Sequence, residues 1–180
     1  MKLLIEDITT SPTEIEFVEG AQEVNRLLAP GDEAEYRLTT PLQVQITHQR
    51  SGEDLLFSGA LHGELVGRCA RCLEEYPLTC AYGFSVVLTP QRIVGREIEL
   101  SRADLSASFY SGETIDLSAL IQEQLLLALP SQPLCHEDCR GLCAQCGANL
   151  NVDPCECQPT WKDPRLDILS TLRLAPSRKD

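Results

Sequence analysis

Eight of the nine cysteines in this 180-residue chain fall into closely spaced pairs: Cys69 and Cys72, Cys135 and Cys139, Cys143 and Cys146, Cys155 and Cys157. A closed structural zinc site takes four ligands in a tetrahedron, and two loops that each donate a pair of thiolates are the usual construction. Four pairs therefore predict two zinc ions. Cys143-Ala-Gln-Cys146-Gly147 has the shape of a zinc knuckle, in which the first thiolate accepts backbone N–H bonds in a tight turn and Gly147 supplies a positive φ without steric cost. A short loop ending in Asp153-Pro154 brings Cys155 and Cys157 round to the same ion. The other quartet is then Cys69, Cys72, Cys135 and Cys139, a long-range clip between distant segments. Exchanging the pairs gives other legal combinations, and spacing alone leaves that choice open.

Redox chemistry fits these pairs less well. A thioredoxin-like dithiol opens a helix after a parallel strand, whereas Cys69 and Cys72 sit between two strand-like runs. Cys80, alone in an alternating stretch, reads as a small buried hydrophobe. His48 and His62 lie in strand-like stretches without a partnered carboxylate, and His136, between two expected ligands, is the one histidine able to replace a cysteine. No nucleophile elbow, P-loop, dinucleotide fingerprint or H-E-x-x-H stretch occurs. All-thiolate sites leave the metal no open position for water or substrate. The expectation is a protein that is not an enzyme and has no small-molecule substrate.

Arg68 and Arg71 bracket the first C-x-x-C and Arg140 lies in the second cluster, so folding gathers three cations beside the metal. They can contact RNA phosphate, or they can offset the negative charge of the thiolates. The chain as a whole carries 15 Lys and Arg against 27 Asp and Glu, a formal net charge of -12. That balance repels a phosphate backbone except at a local basic patch, and favours a basic protein partner. The N-terminal stretch meets Glu6 and Asp7 before any apolar run long enough for a signal-peptide core, and no later run reaches the roughly 18 apolar residues of a membrane span. A cytoplasmic location without membrane contact is expected, where disulfides do not persist.

The elements that must position these residues follow from periodicity. Residues 1–31 are mixed strand or helix. Between Glu35 and Pro90, PLQVQITHQ, DLLFSGALHGELVGRC and YPLTCAYGFSVVLTP alternate apolar and polar residues and read as antiparallel strands, with the first C-x-x-C in the loop between the last two. Residues 91–112 turn polar and suit an exposed excursion. Asp116 opens a helix whose apolar stripe, Leu117, Leu120, Ile121, Gln124, Leu125 and Ala128, packs on the sheet until Pro130 ends it. After the cysteine-rich segment, Trp161 anchors the tail and Asp163-Pro164 begins a short helix. The fold class is α+β: a small antiparallel sheet or barrel-like core with a packed helix over residues 1–133, and a C-terminal cysteine-rich zinc module and helix over 134–180.

Taken together, GELVGRCARCLEEY, LALPSQPLCHEDCRGLCAQCGANLN and the ending CEC with DPRLDILSTLRL resemble the bacterial family of the large ribosomal RNA subunit accumulation protein YceD. Two distant elements, R-C-x-R-C-L and P-L-C-x-x-x-C-x-G-L-C-x-x-C-G-x-N-L-N, occur in the right order. The resemblance implies a non-enzymatic factor in large-subunit rRNA accumulation or ribosome biogenesis. Its implied partner is a large-subunit precursor, met through rRNA or a basic ribosomal protein. Family members vary in cysteine content, which implies that the second zinc is the more dispensable one.

Overall fold

The computed structural model describes residues 1–28, 35–91, 108–153 and 155–157. Trp161, the helix expected after Asp163 and residues 92–107 of the polar stretch lie outside the described residues. The elements run β1 (Lys2–Leu4), a 3-10 turn (Ile5–Asp7), β2 (Thr13–Glu19), α1 (Ala21–Leu28), β3 (Tyr36–Leu38), β4 (Leu42–Ser51), β5 (Asp54–Arg68), β6 (Glu75–Pro90), β7 (Ser108–Tyr110), β8 (Thr114–Asp116) and α2 (Leu117–Ala128). This is the α+β class expected, built mostly of strands.

The six-stranded sheet follows the order β2-β4-β5-β6-β7, with β3 added against β5, and β1 pairs β8 in a separate two-stranded sheet. Of the two alternatives left by the sequence, sheet or barrel, the described strands form open sheets. One pairing departs from the antiparallel expectation. Ser108–Tyr110 lies parallel to the end of β6, with Leu88 opposite Ser108 and Pro90 opposite Tyr110. The end of the expected excursion is therefore strand, and three residues are too short for alternation to have revealed it.

Two hairpins do most of the positioning. β4 and β5 pair out to Ser51 and Asp54, leaving Gly52 and Glu53 as the turn, and Gly52 takes a φ of +65° that a side chain would resist. β5 and β6 pair without interruption from Leu55 opposite Leu88 to Arg68 opposite Glu75. Residues 69–74 are left as the tip of this long hairpin, and the Cys69 N–H closes it on the Glu74 carbonyl at 2.9 Å. The first C-x-x-C is thus held at the end of the β5–β6 hairpin, which β3 braces along Leu65–Gly67.

The core lies on one face of the sheet. Leu42, Val44 and Ile46 of β4 and Leu55, Phe57, Leu61 and Leu65 of β5 are almost wholly buried, in the period-2 pattern that a sheet with one wet face requires. Helix α2 supplies Leu117, Leu120, Ile121, Gln124 and Leu125 to that core, and Val24 is the residue that α1 buries in it. Asp116 caps α2 by accepting the Ser118 and Ala119 N–H groups at 3.1 and 3.3 Å, satisfying two of the donors left over at a helix start. Cys80 joins the same core, as a lone cysteine in an alternating strand should.

The inward positions of β5 that lack side chains are filled from neighbouring strands. A Cβ on Gly59 would lie 2.1 Å from the Gln45 carbonyl and 3.1 Å from the Phe84 ring, and one on Gly67 would lie 3.1 Å from the Tyr76 ring. Gly83 on β6 has only an ordinary contact at 3.8 Å. Gly59→Ala must therefore push β4 and β5 apart, and a loss of about 1–3 kcal/mol is expected in chemical denaturation. Gly83→Ala should stay within about 0.5 kcal/mol of the parent; equal effects from the two would contradict this packing.

Candidate metal centres

The two C-x-x-C loops are the same local structure built twice. In the hairpin tip, the Arg71 N–H points at the Cys69 sulfur at 3.5 Å and the Leu73 N–H returns to the Cys69 carbonyl at 2.9 Å. In the C-terminal segment, the Gln145 N–H points at the Cys143 sulfur at 3.5 Å and the Gly147 N–H returns to the Cys143 carbonyl at 2.9 Å. The residue after the second cysteine must then turn through positive φ, and it does so in both: +63° at Leu73 and +73° at Gly147. Glycine does this freely. Leucine does so at a cost of about 1–2 kcal/mol, which the rest of the loop must offset.

The eight sulfurs come together as two quartets, Cys69, Cys72, Cys135 and Cys139 in one and Cys143, Cys146, Cys155 and Cys157 in the other, each within 4.8 Å. Across the first quartet, Cys69 Sγ to Cys139 Sγ and Cys72 Sγ to Cys135 Sγ are both 3.7 Å. A disulfide would need about 2.05 Å. The edge of a tetrahedron with metal–sulfur bonds of about 2.3 Å is about 3.8 Å. The donor atoms are therefore spaced to hold a tetrahedral ion, and these groupings are those in which spacing first placed them.

Ionisation points the same way. Burial opposes ionisation of Cys69, yet the N–H groups of Cys72, Cys135 and Arg71 outweigh it and bring the thiol down to about 6. Cys135 is half-buried, and desolvation together with the neighbouring Cys139, Cys72 and Cys69 thiols pushes it up to about 12. In the second quartet the Cys146 and Gln145 N–H groups bring Cys143 down to about 6, while Cys146 and burial push Cys157 up to about 12. Four thiols this close cannot all ionise alone, and a cation at the centre removes the conflict.

The two quartets differ in surroundings. Cys69, Cys72 and Cys139 are buried and form a small second core with Tyr76 and Leu134. Cys146 and Cys157 are exposed. The first quartet also joins segments more than 60 residues apart, and the backbone is stitched there too: the Ala70 N–H bonds the Pro133 carbonyl at 2.8 Å and the Leu142 N–H the Arg71 carbonyl at 3.1 Å. The quartet thus straddles the division expected near residue 133.

The three arginines singled out by the sequence all surround these loops, in different states. One guanidinium nitrogen of Arg71 donates to the Glu137 and Cys139 carbonyls at 3.2 and 2.9 Å, so this side chain holds the cysteine segment in place. Arg68 is exposed and reaches the Leu73 carbonyl at 3.4 Å. Arg140 is exposed as well, with its backbone N–H on Asn151 Oδ1 at 2.7 Å. His136 lies beside the first quartet, its Nδ1 3.1 Å from the Cys135 sulfur. His48 is buried in the core and His62 is on the wet face of the sheet.

Sequence reasoning missed two contributors. Gly141, at a φ of +72°, lets the chain pass where a Cβ would lie 3.0 Å from the Arg71 carbonyl. Asn151 donates its side-chain N–H to the Cys139 sulfur at 3.3 Å. The signal for the second was the pair Asn149 and Asn151, residues whose side chains often bond the backbone of tight turns.

A family model described as large ribosomal RNA subunit accumulation protein YceD matches residues 57–173, a stretch that holds all eight clustered cysteines. An uncharacterized protein of Mycobacterium tuberculosis is 31% identical, covering 63% of this chain and 53% of that protein. The chloroplastic large ribosomal RNA subunit accumulation protein YCED homolog 1 of Arabidopsis thaliana is 26% identical, covering 83% of this chain and 54% of that protein. The uncharacterized protein YlbN of Bacillus subtilis is 25% identical, with 77% of this chain and 78% of that protein aligned. The chain spans about half the length of the mycobacterial and plant relatives. No solved structure matches it. With more than half of its length matched, the chain belongs to the family of the large ribosomal RNA subunit accumulation protein YceD.

Proposed function

We propose that this protein is a non-enzymatic factor for the accumulation of large-subunit ribosomal RNA, acting in the cytoplasm on a large-subunit precursor and stabilised by two zinc ions. Family membership carries the functional part, since plant relatives bear that activity in their names. The zinc part rests on the two all-cysteine quartets. Zinc is the common biological ion that accepts four thiolates in a tetrahedron without redox chemistry of its own. Such a centre has no vacant position at which to activate water, so its contribution is to folding. None of the helices described is long and apolar enough to cross a membrane.

The precursor is engaged through a basic ribosomal protein. A formal charge of -12 steers the chain toward cationic surfaces and away from bare phosphate. A second mode, direct rRNA contact through Arg68, Arg71 and Arg140, is favoured by their position around the centres. It is weakened by the commitment of Arg71 to the Glu137 and Cys139 carbonyls. A thiol redox role is the remaining alternative, and the 3.7 Å sulfur separations speak for a metal instead.

Native mass spectrometry with elemental analysis should find two zinc ions per chain, and one or none would contradict the two-centre reading. Cys69→Ser should lose one ion and lower the thermal midpoint of the whole domain by about 10 °C. Cys143→Ser should lose the other and lower that midpoint by clearly less. Equal effects would contradict the long-range role of the first centre. Depletion of the protein, in a cell without a second copy, should lower large-subunit rRNA relative to small-subunit rRNA. An unchanged ratio would refute the assignment. Replacement of the two exposed cations Arg68 and Arg140 by glutamine, with Arg71 left to hold the cysteine segment, separates the modes: particle association survives with protein-mediated recruitment and collapses, at constant zinc, with direct rRNA binding.

A further inference from the structure

Asn151 belongs to the loop of the second quartet, between its two ligand pairs, yet its side chain reaches the first. Its Oδ1 accepts the Arg140 N–H at 2.7 Å. The amide orientation is fixed by that bond, because a backbone N–H needs an oxygen opposite it. The Nδ2 group is left facing the Cys139 sulfur at 3.3 Å and also donates to Asn149 Oδ1 at 2.9 Å.

The loop that presents Asn151 is itself held from both sides. The Cys143 N–H bonds the Ala148 carbonyl at 2.8 Å, the Leu150 N–H the Gly141 carbonyl at 2.9 Å, and the Val152 and Asp153 N–H groups return to the Asn149 carbonyl at 3.1 and 3.0 Å. Leu142 and Asn149 form an isolated bridge, and the Leu142 N–H crosses to Arg71 of the first knuckle. A hydrogen bond from outside the ligand set orients a metal-bound thiolate and draws off part of its charge, and losing such a bond typically costs about 10–100-fold in metal affinity.

We propose that Asn151 is a positioning residue that couples the two centres: metal in the exposed quartet fixes the Asn149–Asn151 turn, which presents the amide to Cys139 and tightens the buried quartet. The coupling is reciprocal, as linkage requires, so the two ions load cooperatively. This inference rests on the zinc reading above. It makes the exposed centre a control on the clip between sheet and C-terminal segment, rather than an independent ornament.

The test is the rate at which each cysteine of the full chain is alkylated under a fixed excess of EDTA, resolved by peptide mass spectrometry, with zinc counted by native mass spectrometry before challenge. Cys80, in the main core, reports global unfolding and should react equally slowly in every variant. Asn151→Ala should keep two zinc ions before challenge, and alkylation of Cys69 and Cys72 should rise about 10–100-fold. Asn151→Asp should behave no better, although it keeps the acceptor for Arg140, because it turns a donor to the thiolate into a negative charge. Cys143→Ser should expose Cys69 and Cys72 to a similar degree, and adding Asn151→Ala to it should change little further.

Unchanged protection of Cys69 and Cys72 in Asn151→Ala would overturn the proposal. So would wild-type behaviour of Asn151→Asp, which would mean that only the turn matters, or full additivity in the double variant. Failure of the zinc reading looks different: wild-type protein without zinc, each quartet reacting at a rate that EDTA does not change. That result would remove the coupling together with the ions.

Discussion

The arrangement of the described cysteine segment depends on bringing four mutually repelling sulfurs to within 4.8 Å of one another. Two unit charges 4 Å apart interact by about 4 kcal/mol at the effective dielectric of a protein surface, so a tetrathiolate without a cation would drive its own loops apart. A divalent ion reverses the sign of that term. The sulfur separations of 3.7 Å in the first quartet match the edge of a tetrahedron around such an ion. The Arg71 bonds to two carbonyls, the backbone ties from Ala70 and Leu142, and the small core around Tyr76 are arranged about that point.

The same constraint explains why the sheet is built as it is. A clip is only as stiff as the arm that carries it, and the β5–β6 hairpin pairs without interruption from Leu55 and Leu88 to Arg68 and Glu75. Glycines on the inward face of β5 let rings from β6 lie across it: Phe84 over Gly59, Tyr76 over Gly67. Tyr76 therefore touches both the arm and the buried quartet. At the other end of the connection, the Tyr36 hydroxyl donates to the Pro130 carbonyl, fixing the chain where it leaves α2 for the cysteine segment. Sheet, helix and buried quartet form one load path, with the exposed quartet appended to it.

Much of this was legible before any coordinate. Alternation located β4, β5 and β6 because each has one wet and one dry face, and Asp116 with Pro130 bracketed α2 because caps and breakers act locally. Cysteine spacing named the four ligand pairs because metal-binding turns are local too, while their grouping into quartets stayed open until the fold brought them together, and Gly147 signalled the positive φ of its knuckle. What escaped was what depends on distant neighbours. β7 is three residues in parallel register with β6, and nothing in Ser108–Tyr110 states its partner. Leu73 occupies the position that glycine fills in the second knuckle, so its φ of +63° is imposed by the loop rather than chosen by the residue. Gly141 and Asn151 matter only because Arg71 and Cys139 lie against them.

The central claim is that both quartets are closed, all-sulfur metal centres whose work is structural. X-ray absorption at the zinc K-edge on the purified full chain tests it most directly, because it reads ligand type and distance in solution. Two closed tetrathiolate centres give a single shell of four sulfurs per zinc at about 2.3 Å, with no nitrogen or oxygen in it. A nitrogen or oxygen ligand near 2.0–2.1 Å, from His136 or from water, would contradict the closed centres and reopen a catalytic role for the metal.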